Sequence, residues 1–134
     1  MTGVIDTNTL ILLERLDADA LPEEPVITAV TLAELSVGPL VAAHDQERAA
    51  RQSRLQEAEA AFEPLPFDAS AARAFGRVAA SLRRSGRKPA ARALDALIAA
   101  TAIANGLDLY TCNPKAYTGI DDLTLIAIPH PDVT

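Results

Sequence analysis

Short apolar runs alternate with longer amphipathic or Ala-rich stretches along the whole chain. Val4-Ile5, Val26-Ile27, Leu65 with Phe67, Leu109-Tyr110 and Leu125-Ile126 are each too brief for a helix and are bounded by polar residues, glycine or proline. They predict strands near 3–6, 25–28, 64–67, 108–112 and 124–128, with helices near 8–16, 30–38, 44–61, 68–85 and 92–105. Strands that alternate with helices imply parallel crossovers, so the expected fold is one α/β domain over residues 1–134, layered α/β/α. Asp68-Ala-Ser predicts a helix N-cap and Asn105-Gly106 a helix C-terminus. The alternating charges from Arg48 to Glu59 predict a solvated helix face. Arg83 to Pro89 reads as a loop from its Ser-Gly and Lys-Pro pairs.

Three carboxylates stand at the joints of this pattern. Asp6 ends the first apolar run, just before Thr7-Asn8-Thr9; Glu34 follows the second; Asp95 opens the apolar stretch from Ala96 to Asn105. Ligands of parallel sheets gather at the carboxyl ends of strands, so the three acids are expected to converge at one sheet edge as a divalent-metal site. Two of them have another use open to them. Asp6 suits the N-cap of the first helix, and Thr31-Leu-Ala-Glu34 fits a capping box in which the Glu side chain reaches back to a backbone N–H. Asp95 is harder to explain away, because it lies within a helix expected to start near Ala91. A carboxylate beside so apolar a face is costly unless it is paired or metal-bound. Clustered carboxylates repel one another unless a cation neutralises them, and an oxygen-rich pocket suits Mg²⁺ or Mn²⁺ rather than Zn²⁺. The two histidines, His44 and His130, have no recognisable ligand spacing and read as surface residues.

Composition narrows the setting. The 134 residues are 49% hydrophobic, enough for a single core, but only 4% aromatic, so Ala-rich helices such as Ala69 to Ala80 must pack closely. One cysteine, Cys112, permits no internal disulfide and lies in no metal-binding spacing. The first strand starts almost at once and leaves no room for a signal peptide, and no apolar run reaches the length of a membrane span, so a soluble cytoplasmic protein is expected. The net charge of −6 argues against a non-specific nucleic-acid coat. The charge is unevenly spread, however: Arg83, Arg84, Arg87, Lys88 and Arg92 form a basic cluster leading into the Asp95 helix. It is either a grip for phosphates or a solvated loop.

Val4-Ile-Asp6-Thr-Asn, Thr31-x-x-Glu34-Leu, Asp95-Ala-Leu-Ile-Ala-Ala and Leu109-Tyr-Thr111-Cys-Asn113, in that order, resemble the four signatures of PIN-domain ribonucleases. Order, spacing and length are similar in particular to the VapC toxins of bacterial toxin–antitoxin pairs. The resemblance implies a five-stranded parallel sheet flanked by helices and an endoribonuclease dependent on Mg²⁺ or Mn²⁺. It also implies a small antitoxin partner and a toxin homodimer. On the matching positions it assigns the metal to Asp6, Glu34 and Asp95, with Asn113 as a weaker ligand and Thr7 and Thr111 as supporting groups. Asn113 departs from the pattern, since the family often carries a fourth acid there or a few residues later; this puts a second metal ion in doubt. Two rivals remain at this stage. One is a catalytically silent PIN-like binding module. The other is a receiver-type phosphoacceptor domain, which expects neighbouring acids after the first strand and a phosphoacceptor at Asp68.

Overall fold

The computed structural model describes residues 1–132. Its centre is a parallel sheet of four strands, β1 (Thr2–Ile5), β2 (Glu24–Val26), β3 (Asp108–Thr111) and β4 (Leu125–Ala127), in the order β2-β1-β3-β4. The helices are α1 (Thr7–Ile11), α2 (Ala29–Val37), α3 (Asp45–Ala61), α4 (Ala69–Arg84) and α5 (Ala93–Ala104). β1 lies between β2 and β3, with Val4 opposite Val26 on one side and Leu109 on the other. Successive residues of these strands enter opposite layers. Val4 and Leu109 join Ile98 and Ala102 of α5 in one core, while Ile5 and Tyr110 join Leu10, Leu35 and Ala58 of α1, α2 and α3 in the other. This is the expected α/β/α sandwich, and burial on both faces is why the central strands are apolar without alternation.

The fifth expected strand, near 64–67, is reduced to one bridge between Thr28 and Leu65. Pro64 and Pro66 flank Leu65 and have no N–H to donate to a ladder. Leu65 alone completes the pairing: its N–H donates to the Ile27 carbonyl at 2.9 Å, and its carbonyl accepts from the Ala29 N–H at 2.8 Å. The sheet therefore has four strands and a proline-limited edge.

The first helix is also shorter than the expected 8–16. It ends at Ile11 and tightens into a 3₁₀ turn over Leu13–Arg15. Four consecutive apolar residues, Leu10 to Leu13, would spread over most sides of an α-helix, whereas this path packs Leu10, Leu12, Leu13 and Leu16 into the Ile5 core. The later helices follow their caps. Asp68 accepts from the Ala71 N–H at 3.0 Å to start α4, and Gly106 takes φ +65° just after α5, a left-handed turn that suits glycine. α4 packs on α5 through Ala74, Val78, Leu82, Ala96 and Ala100, all nearly inaccessible. Small side chains at that contact let two helices approach closely in a chain poor in aromatics.

Candidate active site

Asp6 follows the last residue of β1 and points its carboxylate into the protein, where it is 5% exposed. Four donors surround it. The Thr9 N–H, at 3.2 Å, and the Thr9 hydroxyl donate to Oδ1. The Thr111 hydroxyl at 2.7 Å and the Tyr117 hydroxyl at 2.9 Å donate to Oδ2. Asp6 is therefore the N-cap of α1 and also the hub of a buried polar network. These uses are compatible, because a carboxylate has about four acceptor positions. Thr9 extends the network to β3 by accepting from the Cys112 N–H at 3.2 Å. The ends of β1 and β3, adjacent in the sheet, are thus held in register around one carboxylate.

Glu34 does not serve a capping box. The N-cap of α2 is Thr28, whose hydroxyl accepts from the Thr31 N–H at 3.2 Å, which leaves Glu34 in the body of the helix. It accepts instead from the Thr7 hydroxyl at 2.7 Å, and that hydroxyl lies 3.0 Å from the hydroxyl of Thr31. The helix begins earlier than Thr31-x-x-Glu34 suggests, because Thr28 closes the strand-to-helix turn beside the Leu65 bridge.

Asp95 lies in the first turn of α5, nearer the helix start than expected, after a 3₁₀ turn over Pro89–Arg92. Its pKa is raised above the usual carboxylate range, first by burial and then by the negative charges of Asp6 and Glu34; the Arg92 guanidinium opposes the rise. The Tyr117 phenol is held protonated far above its ordinary range. Burial is the main cause, followed by the charges of Asp6 and Asp95, its hydrogen bond to Asp6, and Glu34. Asp6 and Glu34 thus act on Asp95, and all three acids act on one buried phenol. Among the described residues, however, no three carboxylate, imidazole or thiol side chains are gathered closely enough to hold a single ion directly. The donor chemistry still fits Mg²⁺, which binds through one or two carboxylates and keeps several of its waters.

A family model for the PIN domain matches residues 4–118. The chain belongs to the PIN-domain family. It is 42% identical over 112 residues to ribonuclease VapC5 of Mycobacterium tuberculosis, covering 81% of each chain. It is 34% identical over 129 residues to ribonuclease VapC4 of the same organism, covering 94% of this chain and 96% of that one. Among solved structures, it superposes with a TM-score of 0.82 and 37% identity on a member of the VapBC family of toxin–antitoxin systems, VapBC-5 from M. tuberculosis, covering 94% of this chain and 98% of that one. VapBC2 of Rickettsia felis, bound to a DNA fragment from its promoter, matches with a TM-score of 0.76 and 25% identity over 96% of this chain and 99% of that one. The PIN assignment removes the receiver-domain reading. In agreement, Asp68 caps α4 and is not part of the acid network.

The remaining expected residues of this PIN domain divide. Thr7 and Thr111 are buried and hydrogen-bonded to Glu34 and Asp6, respectively. Asn113 is exposed, and its backbone N–H donates to the Thr111 hydroxyl at 2.9 Å. Arg92 faces Asp95 electrostatically. Arg83 and Arg84 belong to the last turn of α4 rather than to a loop, and Arg84 is paired with Asp121 at 2.9 Å. Arg83, Arg87 and Lys88 line a separate cleft of about 380 Å³ that includes none of the three acids. Cationic residues beside the acids come from an unexpected place. α3, read as a solvated surface, brings Arg51 and Arg54 to a cleft of about 270 Å³ shared with Thr7, Asn8 and Glu34. Arg51 is engaged by the Gly38 carbonyl and by Glu47, whereas no ion pair holds Arg54 among the described residues. Thr9 and Tyr117 also went unread in the sequence. The one signal for Tyr117 is rarity: it is one of two tyrosines in the chain.

Proposed function

We propose that the chain is a metal-dependent endoribonuclease that hydrolyses RNA phosphodiester bonds and acts as the toxin of a toxin–antitoxin pair. The observation that carries this reading is that Asp6, Glu34 and Asp95 lie near enough in a PIN domain for burial, and then the charges of Asp6 and Glu34, to raise the pKa of Asp95. A silent binding module has no need of so costly an arrangement. The names of the relatives, ribonucleases from toxin–antitoxin systems, support the same activity and partner.

Asp6, Glu34 and Asp95 would hold Mg²⁺ or Mn²⁺, with Asn113 as a neutral carbonyl ligand at the rim. The ion supplies Lewis-acid polarisation of the phosphate and a water of lowered pKa. The protein's own groups prepare the site. Thr111, Thr9 and Tyr117 orient the Asp6 carboxylate, Thr7 orients Glu34, and the phenol of Tyr117 remains a donor at any working pH. Arg54 beside Glu34 and Arg92 near Asp95 bind the RNA backbone, with Arg83, Arg87 and Lys88 as a separate grip. A small antitoxin and a homodimeric toxin complete the proposal. The apolar side chains of Ile11, Val37, Leu40 and Val41 are exposed, and Ile11 borders the Glu34 cleft, so a partner covering them would also reach the acids. Among the described residues no helix is long and apolar enough to cross a membrane.

The test is RNA cleavage by the purified chain with Mg²⁺, Mn²⁺ or chelator, compared with Asp6→Asn, Glu34→Gln and Asp95→Asn. Glutamine keeps an acceptor for Thr7, so Glu34→Gln is expected to fold normally. Each variant is expected to lose at least about a hundredfold in cleavage, in keeping with removal of a group that stabilises developing charge. Chelator-resistant cleavage, or full activity in the variants, rejects the reading.

A further inference from the structure

We propose that the cleft on the far side of Asn8 from the acids is a nucleotide subsite, which seats a base next to the scissile phosphate. The inference rests on the endoribonuclease reading above. The cleft encloses about 660 Å³ and is bounded by Asn8 and Ile11 of α1, by Asn113, Pro114 and Lys115 after β3, and by His130 beyond β4. Asn8 and Ile11 also line the cleft that contains Thr7 and Glu34, so the two spaces adjoin. Asn8 stands two positions from Asp6, and Asn113 two positions from Thr111, whose hydroxyl donates to Asp6. A single strand whose phosphate lies at the acids therefore has a neighbouring nucleotide at this cleft.

The lining is half apolar, through Ile11, Leu12, Cys112 and Pro114, and half polar, which suits the face and the edge of a base. Among the described residues no side-chain hydrogen bond or ion pair engages Asn8 or Lys115, although both border the cleft. A carboxamide carries both donor and acceptor. That is the pattern with which asparagine reads base edges, and unstacked bases of single-stranded RNA expose such edges. His130 adds a donor. Its Nδ1 accepts from the Asp132 N–H at 3.1 Å, so in the neutral ring the proton sits on Nε2. Ile11 and Pro114 provide apolar surface for the faces of a base, and Lys115 provides a cation for the adjoining phosphate.

The experiment uses the full chain with Mn²⁺ and a pool of short RNAs randomised around one cut site, read by sequencing. Asn8→Ala and His130→Ala are each expected to change the relative cleavage among the four bases at one position beside the cut by roughly tenfold. His130→Gln, which keeps a donor, is expected to change it less. Thermal melting establishes that the variants fold, and Asn8, exposed on α1, can be replaced without opening the core. Unchanged base preference in folded variants, or an equal loss at every base, overturns the subsite. A second readout is independent of cleavage: each of the four 5′-mononucleotides is titrated while the His130 ring is followed by NMR. Unequal shifts that Asn8→Ala makes equal support the subsite, and equal shifts or none in the wild type overturn it. If the wild type cuts no RNA yet shows unequal shifts, the nuclease reading falls and the subsite stands.

Discussion

At the scale of single residues, Asp95 and Tyr117 carry opposite duties around Asp6. Asp95 is a charge held where burial and two neighbouring carboxylates disfavour it. Its folded pKa is raised, so the neutral form contributes stability that is fully present below the unfolded value near 3.8 and is lost as pH rises through the folded pKa. In chelator-treated protein, Asp95→Asn should therefore melt higher than the wild type near neutral pH, and the gap should close as the pH is lowered to about 4. A constant gap across that range would mean that the carboxylate is not under this strain. Tyr117 does the reverse and relieves Asp6 by donating to it. Tyr117→Phe deletes one buried hydrogen bond to a charged group, which costs about 2 kcal/mol. Chemical denaturation should register that loss, and cleavage should fall because the carboxylate loses one of its four orienting donors. A variant of full stability would show that the phenol contributes packing alone.

At the scale of elements, the sequence was most legible where local chemistry decides the structure. The apolar runs located β1 to β4, Asp68 and Gly106 marked helix ends, and Asp6 stands at the β1–α1 joint where its position put it. It was least legible where an element's use depends on what it packs against. Nothing local in Thr31-x-x-Glu34 reveals that Thr28 is the cap, since that follows from the Leu65 bridge. Nor does the charge pattern of α3 reveal that one edge of a polar helix borders the acids, because i,i+3 spacing gives a face but not its neighbour. Arg54 and Arg84 make the contrast testable. Arg54 borders the Glu34 cleft without an ion pair among the described residues, whereas Arg84 is paired with Asp121. Arg54→Gln should reduce the slope of log affinity against log salt by about 0.7 for single-stranded RNA, and Arg84→Gln should leave it nearly unchanged. Equal slopes in both variants would return α3 to the role of a solvated face.

At the scale of the whole molecule, one cleft at α1 brings Glu34, Arg54 and the exposed Ile11 together, and this sets the logic of inhibition. In the fold Leu12, Leu13 and Leu35 pack into the Ile5 core, whereas Val37 stays exposed beside Leu40 and Val41 of the following turn. A partner segment on Ile11, Val37, Leu40 and Val41 is within reach of the Glu34 cleft, because Ile11 and Gly38, the residue after Val37, both line it. A guanidinium can bridge two carboxylates bidentately and offset their repulsion much as a metal ion does. Partner and metal are therefore expected to compete. Mn²⁺ titration of the chain alone and of its complex with the co-purified antitoxin should show at least a tenfold weaker apparent metal affinity in the complex, and an antitoxin with its arginines changed to glutamine should lose most of that effect. The substitution Leu40→Asp should weaken the complex while leaving metal binding by the free chain intact, since Leu40 is exposed and outside the acid network. If metal affinity is the same with and without the partner, inhibition acts by blocking RNA access rather than by replacing the ion.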